Sequence, residues 1–167
     1  NIGNVTFEPQ AILTLTDGNG ANYLNVSPHT FGANITIPSG KEKIGLICFY
    51  TFCDDEGGAV VVSGGAVPAP VSVDYSGYLP RLKGEVGGLT AWVDYNHTDD
   101  NTAGFFGEYD NFFVWAQYKF NIYESAAGTF SLTPTVRYRA SSSENTWNGY
   151  NTDVDQLRTE LYATVTF

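Results

Sequence analysis

The sequence predicts an all-β chain: a single domain, residues 1–167, built from eight antiparallel strands that run up and down. Three observations carry that prediction. Apolar and polar residues alternate at a period of two through most of the chain. The composition includes 11 Tyr and 11 Phe, residue types that favour a pleated surface, while 18 Gly and 7 Pro supply punctuation. No apolar run approaches the roughly 18 residues of a membrane-spanning helix.

The strands follow in order. The first runs from Val5 to Thr16, with Phe7, Pro9, Ala11 and Leu13 on one face, Thr6, Glu8 and Gln10 on the other, and Ile12 as an exception. After an Asp17–Gly20 turn, the second alternates cleanly from Phe31 to Ile37 and ends at a Pro38–Glu42 turn. The third, Lys43 to Phe52, is apolar on both sides and gives no facing signal. A connector spans Cys53 to Pro70. The fourth sets Val71, Val73, Tyr75 and Leu79 against Ser72, Asp74, Ser76 and Tyr78, with an exit turn at Pro80–Gly84. The fifth sets Leu89, Ala91, Val93 and Tyr95 against Thr90, Trp92, Asp94 and Asn96. A polar connector, His97 to Asp110, precedes the sixth, Phe112 to Ile122. A tight Glu124–Gly128 turn leads to the seventh, Phe130 to Ala140, and a loop, Ser141 to Gln156, feeds the last strand. Pro9 and Pro134 fall inside strands, where a ladder donor is lost, and so mark a bulge or a strand limit.

That last strand alternates without a break. Leu157, Thr159, Leu161, Ala163, Val165 and Phe167 share one side; Arg158, Glu160, Tyr162, Thr164 and Thr166 share the other. About ten residues suffice for a tilted strand to cross a bilayer. A closing amphipathic strand with a terminal Phe resembles the C-terminal strand of the small bacterial outer-membrane β-barrel proteins. The resemblance implies an eight-stranded up-and-down transmembrane barrel in the outer membrane. It also implies the lipid bilayer and lipopolysaccharide as surroundings; from the residues themselves, no enzyme activity and no cofactor are expected. The chain starts at Asn1, as a processed secretory product would.

Period alone does not decide which face meets lipid, since a soluble ligand- or carbohydrate-binding barrel has the same period with its faces exchanged. Connector lengths and charge favour the membrane. Turns after the second, fourth and sixth strands are short and the connectors after the third, fifth and seventh are long, as on the two rims of a transmembrane barrel. The longer connectors carry Asp and Glu and no Lys or Arg, whereas Lys41, Lys43, Arg81 and Lys83 fall at short turns. The polar faces hold Glu8, Asp74, Asp94 and Glu160 with Lys119, Arg137, Arg139 and Arg158, a set balanced in sign that predicts an interior charge network. Function then lies in acidic loops used for interaction, adhesion or envelope scaffolding; a narrow porin-like channel for small solutes is the alternative.

Remaining motifs are weak. Cys48 and Cys53 face opposite ways in one continuous strand and form a disulfide only if the strand ends between them. Asp54, Asp55, Glu56, Asp99, Asp100, Asp153 and Asp155 are oxygen ligands of the right hardness for a divalent cation, but without a calcium-loop spacing they read first as solvated loop tips. Trp147 and Tyr150 are loop aromatics suited to an extracellular ligand or to packing within their own loop. Neither His29 nor His97 opens a His-x-Ser arrangement, so no catalytic residue is assigned. Aromatics near strand ends, Tyr50, Tyr75, Tyr95, Phe112, Tyr118, Phe120, Phe130, Tyr138 and Phe167 among them, fit two interfacial girdles. The net charge of -10 argues against nucleic acid.

Overall fold

In the computed structural model, residues 4–14, 27–58, 71–102, 106–145 and 149–167 are described. They form one antiparallel sheet of nine strands: β1 (Thr6–Leu13), β2 (His29–Ser39), β3 (Glu42–Gly58), β4 (Val71–Val86), β5 (Leu89–Asp100), β6 (Gly107–Tyr118), β7 (Phe120–Ser125), β8 (Gly128–Asn145) and β9 (Tyr150–Thr166). Each strand pairs with its chain neighbour, except that β6 and β7 both pair with β8.

The count of nine differs from eight for a local reason. The β6–β8 register ends at Gln117↔Thr135 and the β7–β8 register resumes, still in phase, at Phe120↔Leu132. Opposite the gap stands Pro134, which has no N–H to give. On its other side Pro134 keeps its place opposite Leu161. β6 and β7 are thus one leg interrupted at Lys119, whose own N–H donates to the Gly88 carbonyl at 2.9 Å. The sheet has eight legs.

Hairpin turns on one rim are two residues long, at 40–41, 87–88 and 126–127. Gly40 (φ 65°) and Gly87 (φ 58°) supply the left-handed backbone such turns demand. Connections on the other rim cover residues 14–28, 59–70, 101–106 and 146–149. Most of the polar stretches predicted as loops are strand instead: β3 continues to Gly58, β5 to Asp100, β8 to Asn145, and β9 starts at Tyr150. Apolar alternation stops near Tyr50, Tyr95 and Tyr138, but backbone pairing does not depend on it and the ladders continue past it.

Following partners across the sheet shows two chemically distinct faces. One row reads Phe7, Ile35, Leu46, Leu82, Val93, Val114, Tyr138, Leu157, every residue opposite the next. On the other face a row reads Glu8, Asn34, Ile47, Arg81, Asp94, Phe113, Arg139, Gln156. Burial is one-sided: within the strands the buried residues are Cys53, Val73, Asp94, Ser131 and Thr135, all on the second face. The sheet therefore curls towards its polar face. Its apolar face stays open, with Val136, Val165 and Leu161 exposed by 46%, 55% and 67%. Among the described residues only Cys53 and Val73 are buried apolar side chains, the reverse of a soluble sandwich. The sheet is not closed: no Cα of β1 comes within 8 Å of β9.

Candidate functional site

The inner, polar face divides into two sectors. From β4 to β9 it is charged. Arg81 donates twice to Asp94, at 2.6 and 2.8 Å, in the planar two-bond geometry that suits a guanidinium and a carboxylate. Its guanidinium also lies 5.7 Å from the Trp92 ring centroid, and Trp92 stacks on its ladder partner Trp115 at 4.0 Å. Arg137 and Arg158 stand directly opposite each other, an unfavourable pairing of like charge. Glu160 resolves it by accepting from Arg137 at 2.6 Å and from Arg158 at 2.5 Å, with the Tyr162 hydroxyl donating to it at 2.9 Å. Arg139 is held by neutral groups, donating to Asn111 at 2.7 Å and to the Tyr109 hydroxyl at 2.9 Å. Lys83 and Glu85, alternating on the same strand, pair at 2.7 Å.

From β1 to the loop-side half of β5 the middle of the inner face carries no charge, with Glu8 and Lys43 towards the turn rim and Asp55 and Asp100 towards the loops. Glu8 accepts from Asn34 at 2.8 Å near the turn rim. Above it lie Ile12, Thr30, Gly32, Phe49, Thr51, Gly77, Leu79, Asn96 and Thr98. Thr30 and Thr51 share a hydrogen bond of 2.8 Å between their hydroxyls. The Phe49 ring covers Gly32 so closely that a Cβ there would fall 2.2 Å from it. Nearer the loops, Cys53 and Val73 are sealed beneath Tyr75, and burial, with Asp55 close by, pushes the Cys53 thiol up to about 11.

Compared with models of known families, with curated proteins and with solved structures, the chain matches none.

Of the eight charges predicted inside, Glu8, Asp94, Arg137, Arg139, Arg158 and Glu160 project from the inner face. Asp74 does not. It shares a face with Asp54 and Tyr78 and is exposed on the apolar side of the sheet, beyond its aromatic rim. Arg81 takes the place expected of it, because Pro80–Gly84 is not a turn: β4 runs straight through to Val86. The missed signal was the alternation of Arg81, Lys83 and Glu85 with Leu82, Gly84 and Val86 just before Gly87-Gly88. Tyr75 likewise lies inside rather than in a girdle. Lys119 occupies the break between β6 and β7 and is exposed.

The disulfide is excluded by the same continuity. Cys48 and Cys53 both lie within β3, on opposite faces, as free thiols, the first exposed outward and the second buried inward.

On the outer face two levels of aromatic side chains border the apolar band: Tyr50, Tyr78, Tyr95, Phe112 and Tyr138 on the loop side, and Tyr118, Phe120, Tyr123, Phe130 and Phe167 on the turn side. From Phe130 to Tyr138 is eight residue steps, about 27 Å along a strand and about 21 Å at a tilt of about 40°. Past the loop-side level the same face turns acidic, with Asp54, Asp74, Asp99, Asp110, Asp153 and Asp155. Tyr95 donates to Asp110 at 2.5 Å and Tyr138 to Asp155 at 3.1 Å, anchoring the aromatic ring edge to the acidic one. His97 Nδ1 also lies 2.9 Å from Asp110, and His29 packs edge-on against Phe52 at 5.7 Å; both face outward.

Of the cation candidates, Asp55 points inward to Cys53 and accepts from the Ser27 N–H, and Asp100 accepts from the Thr102 N–H. Glu56 lies in β3. Among the described residues no three His, Cys, Asp or Glu side chains converge as a metal site. Tyr150 opens β9 opposite Asn145, and Trp147 lies outside the described residues.

Proposed function

We propose that this chain is an integral outer-membrane β-barrel of a Gram-negative-type envelope, non-enzymatic, whose acidic loop rim serves interaction, adhesion or scaffolding. One observation carries the reading: across all eight legs the face left exposed between the aromatic levels is apolar, while the ion pairs Arg81–Asp94 and Arg137–Glu160 lie on the curled-in face. In water that arrangement leaves a broad apolar surface unburied; in hydrocarbon it is the stable one. The band of about 21 Å between two aromatic levels supports it, being near the roughly 25 Å of such barrels.

Closure of β1 on β9 is part of the proposal. Eight legs spaced about 4.8 Å apart give a girth of about 38 Å, and a tilt of about 35–45° then requires a stagger of roughly eight to twelve residues. The row from Phe7 ends at Leu157, so a stagger of about ten sets Phe7 opposite Phe167 and Ala11 opposite Ala163, outer face meeting outer face. Pro9 holds its place opposite Ala33, so the donor it lacks is on the seam side.

The test has two arms. The protein should require detergent and migrate faster on a gel before boiling than after. With Cys48 and Cys53 replaced by Ser, the pair Ala11→Cys and Ala163→Cys should oxidise to an intramolecular disulfide in folded protein. A chain that stays soluble without detergent and forms no such bond refutes the barrel.

A narrow pore is the second reading. It is favoured by the ion pairs lying between adjacent strands, Arg81 to Asp94 and Arg137 to Glu160, so that they hug the wall. Planar-bilayer conductance that changes in Arg137→Gln or Glu160→Gln supports it; silent bilayers remove it.

A further inference from the structure

The uncharged sector of the inner face is more than wall. It surrounds a cavity of about 440 Å³ bounded by β1 to β5 on the loop side. Ile12, Phe49 and Leu79 give it an apolar lining, and Thr51, Asn96 and Thr98 add a few hydroxyl and amide groups; no Asp, Glu, Lys, Arg or His lines it. That mixture, mostly apolar with sparse polar groups, is what small-molecule pockets share. A plain structural filler would look different. The charged sector shows how this chain fills space when it must, with stacked tryptophans and paired ions.

We propose that this cavity binds an uncharged small molecule with an apolar body and one or two hydrogen-bonding oxygens. Size sets the scale: a cavity of about 150 Å³ holds benzene, so the volume here suits roughly three such rings or a short alkyl chain with a polar end. Charge excludes the alternatives. An anion or cation entering this sector would leave water for a lining that offers no counter-charge, a cost of several kcal/mol in general terms. Threonine hydroxyls both donate and accept, so they suit an alcohol, ketone or ester without selecting one.

Access follows from the β4–β5 ladder. Its register passes from Tyr78↔His97 to Arg81↔Asp94, leaving Leu79 and Pro80 without partners on β5 although both stay paired to β3. Leu79 and Asn96 line the cavity at this lapse, and Tyr78, which faces outward, lines it too. The wall is thus weakest where the cavity touches it.

Benzophenone, neutral and apolar with one carbonyl, serves as probe because light couples it to nearby C–H groups. Purified full-length protein in detergent, irradiated over a range of probe concentrations, should show saturable labelling of peptides holding Phe49, Leu79 or Thr98. Micelle-borne probe labels outward residues such as Leu82 and Leu161 without saturating. Thr51→Asp, which puts a charge in the lining, should cut the saturable part about tenfold while gel mobility before boiling stays unchanged. Should Thr51→Asp misfold, competition in the native chain decides: 2-naphthol must displace the probe and 2-naphthoate must not. Labelling confined to outward residues, or equal displacement by the anion, overturns the proposal. The barrel reading is judged separately, by detergent dependence; saturable cavity labelling of a chain soluble without detergent would keep the site and reject the barrel.

Discussion

The charged and uncharged sectors of the inner face belong to one sheet, yet they are held by different physics. From β4 to β9 each ionic group has a partner on the same or a neighbouring strand, and the cost of enclosing it is offset by bidentate or shared hydrogen bonds. From β1 to β5 on the loop side the fit is steric: Phe49 lies across Gly32, and two threonines satisfy each other. The comparison teaches where the molecule tolerates change. Removing a charge in the first sector strands its partner; adding bulk in the second has nowhere to go.

The largest effect should follow from stranding a charge. Asp94→Asn leaves Arg81 without its carboxylate in the more enclosed of the ion pairs, and should lower the unfolding free energy by about 3 kcal/mol. Denaturant unfolding of the detergent-solubilised protein reads it directly, and a change below about 0.5 kcal/mol would mean the pair is solvated and the sectors do not differ as argued.

Next is the steric sector. In Gly32→Ala the new Cβ meets the Phe49 ring at 2.2 Å and the Cys48 carbonyl oxygen at 2.5 Å. Because one of those contacts is backbone, rotating Phe49 relieves only part of the clash, and a loss of about 2 kcal/mol is expected. Adding Phe49→Ala to Gly32→Ala should recover some but not all of the loss; full recovery would show that the ring alone sets the fit.

The same division explains which parts of the fold were legible in the sequence. Alternation fixes the facing of β5, β6, β8 and β9 because their inner sides are polar, as in Thr90, Trp92, Asp94 or Arg137, Arg139. It fails in β3 and β4 because the inner side there is apolar as well. Val73, Tyr75 and Leu79 look like an outward face and are an inward one, and that inversion carried Asp74 inside and Arg81 into a turn. The apolar stretch that misled the facing is the same one that lines the cavity. Strand ends were hidden for another reason. Past the aromatic level the outer face is acidic rather than apolar, so pairing continues where the hydrophobic signal has stopped.

The two thiols sharpen the contrast between the faces. Cys48 projects outward in the band and Cys53 inward under Tyr75. In lipid vesicles a charged, water-soluble maleimide should label neither at pH 7: the first is shielded by acyl chains, the second by burial and a thiol pushed up to about 11. A neutral, lipid-soluble maleimide should reach Cys48 alone. Raising the pH to 10 should increase Cys53 labelling, since its thiolate fraction grows about tenfold per pH unit below that value. Rapid labelling of Cys48 by the charged reagent in vesicles would contradict an outward face in hydrocarbon.

The smallest effect tests the one interruption in an otherwise continuous leg. Pro134 lacks the N–H that would join β8 to the β6–β7 leg, and the ladder lapses between Gln117↔Thr135 and Phe120↔Leu132. Pro134→Val restores the donor, and its β-branched side chain suits an outward, apolar position. If the proline causes the break, the variant gains one hydrogen bond and about 1 kcal/mol. The amide at 134 should then exchange slowly with solvent deuterium, and Thr135 Oγ1, buried and without a hydrogen-bond partner beside the lapse, should remain the only weak point there. An unchanged midpoint with fast exchange at 134 would instead place the cause in the register shift between Asn121 and Tyr123, where the β7 leg takes up an extra residue.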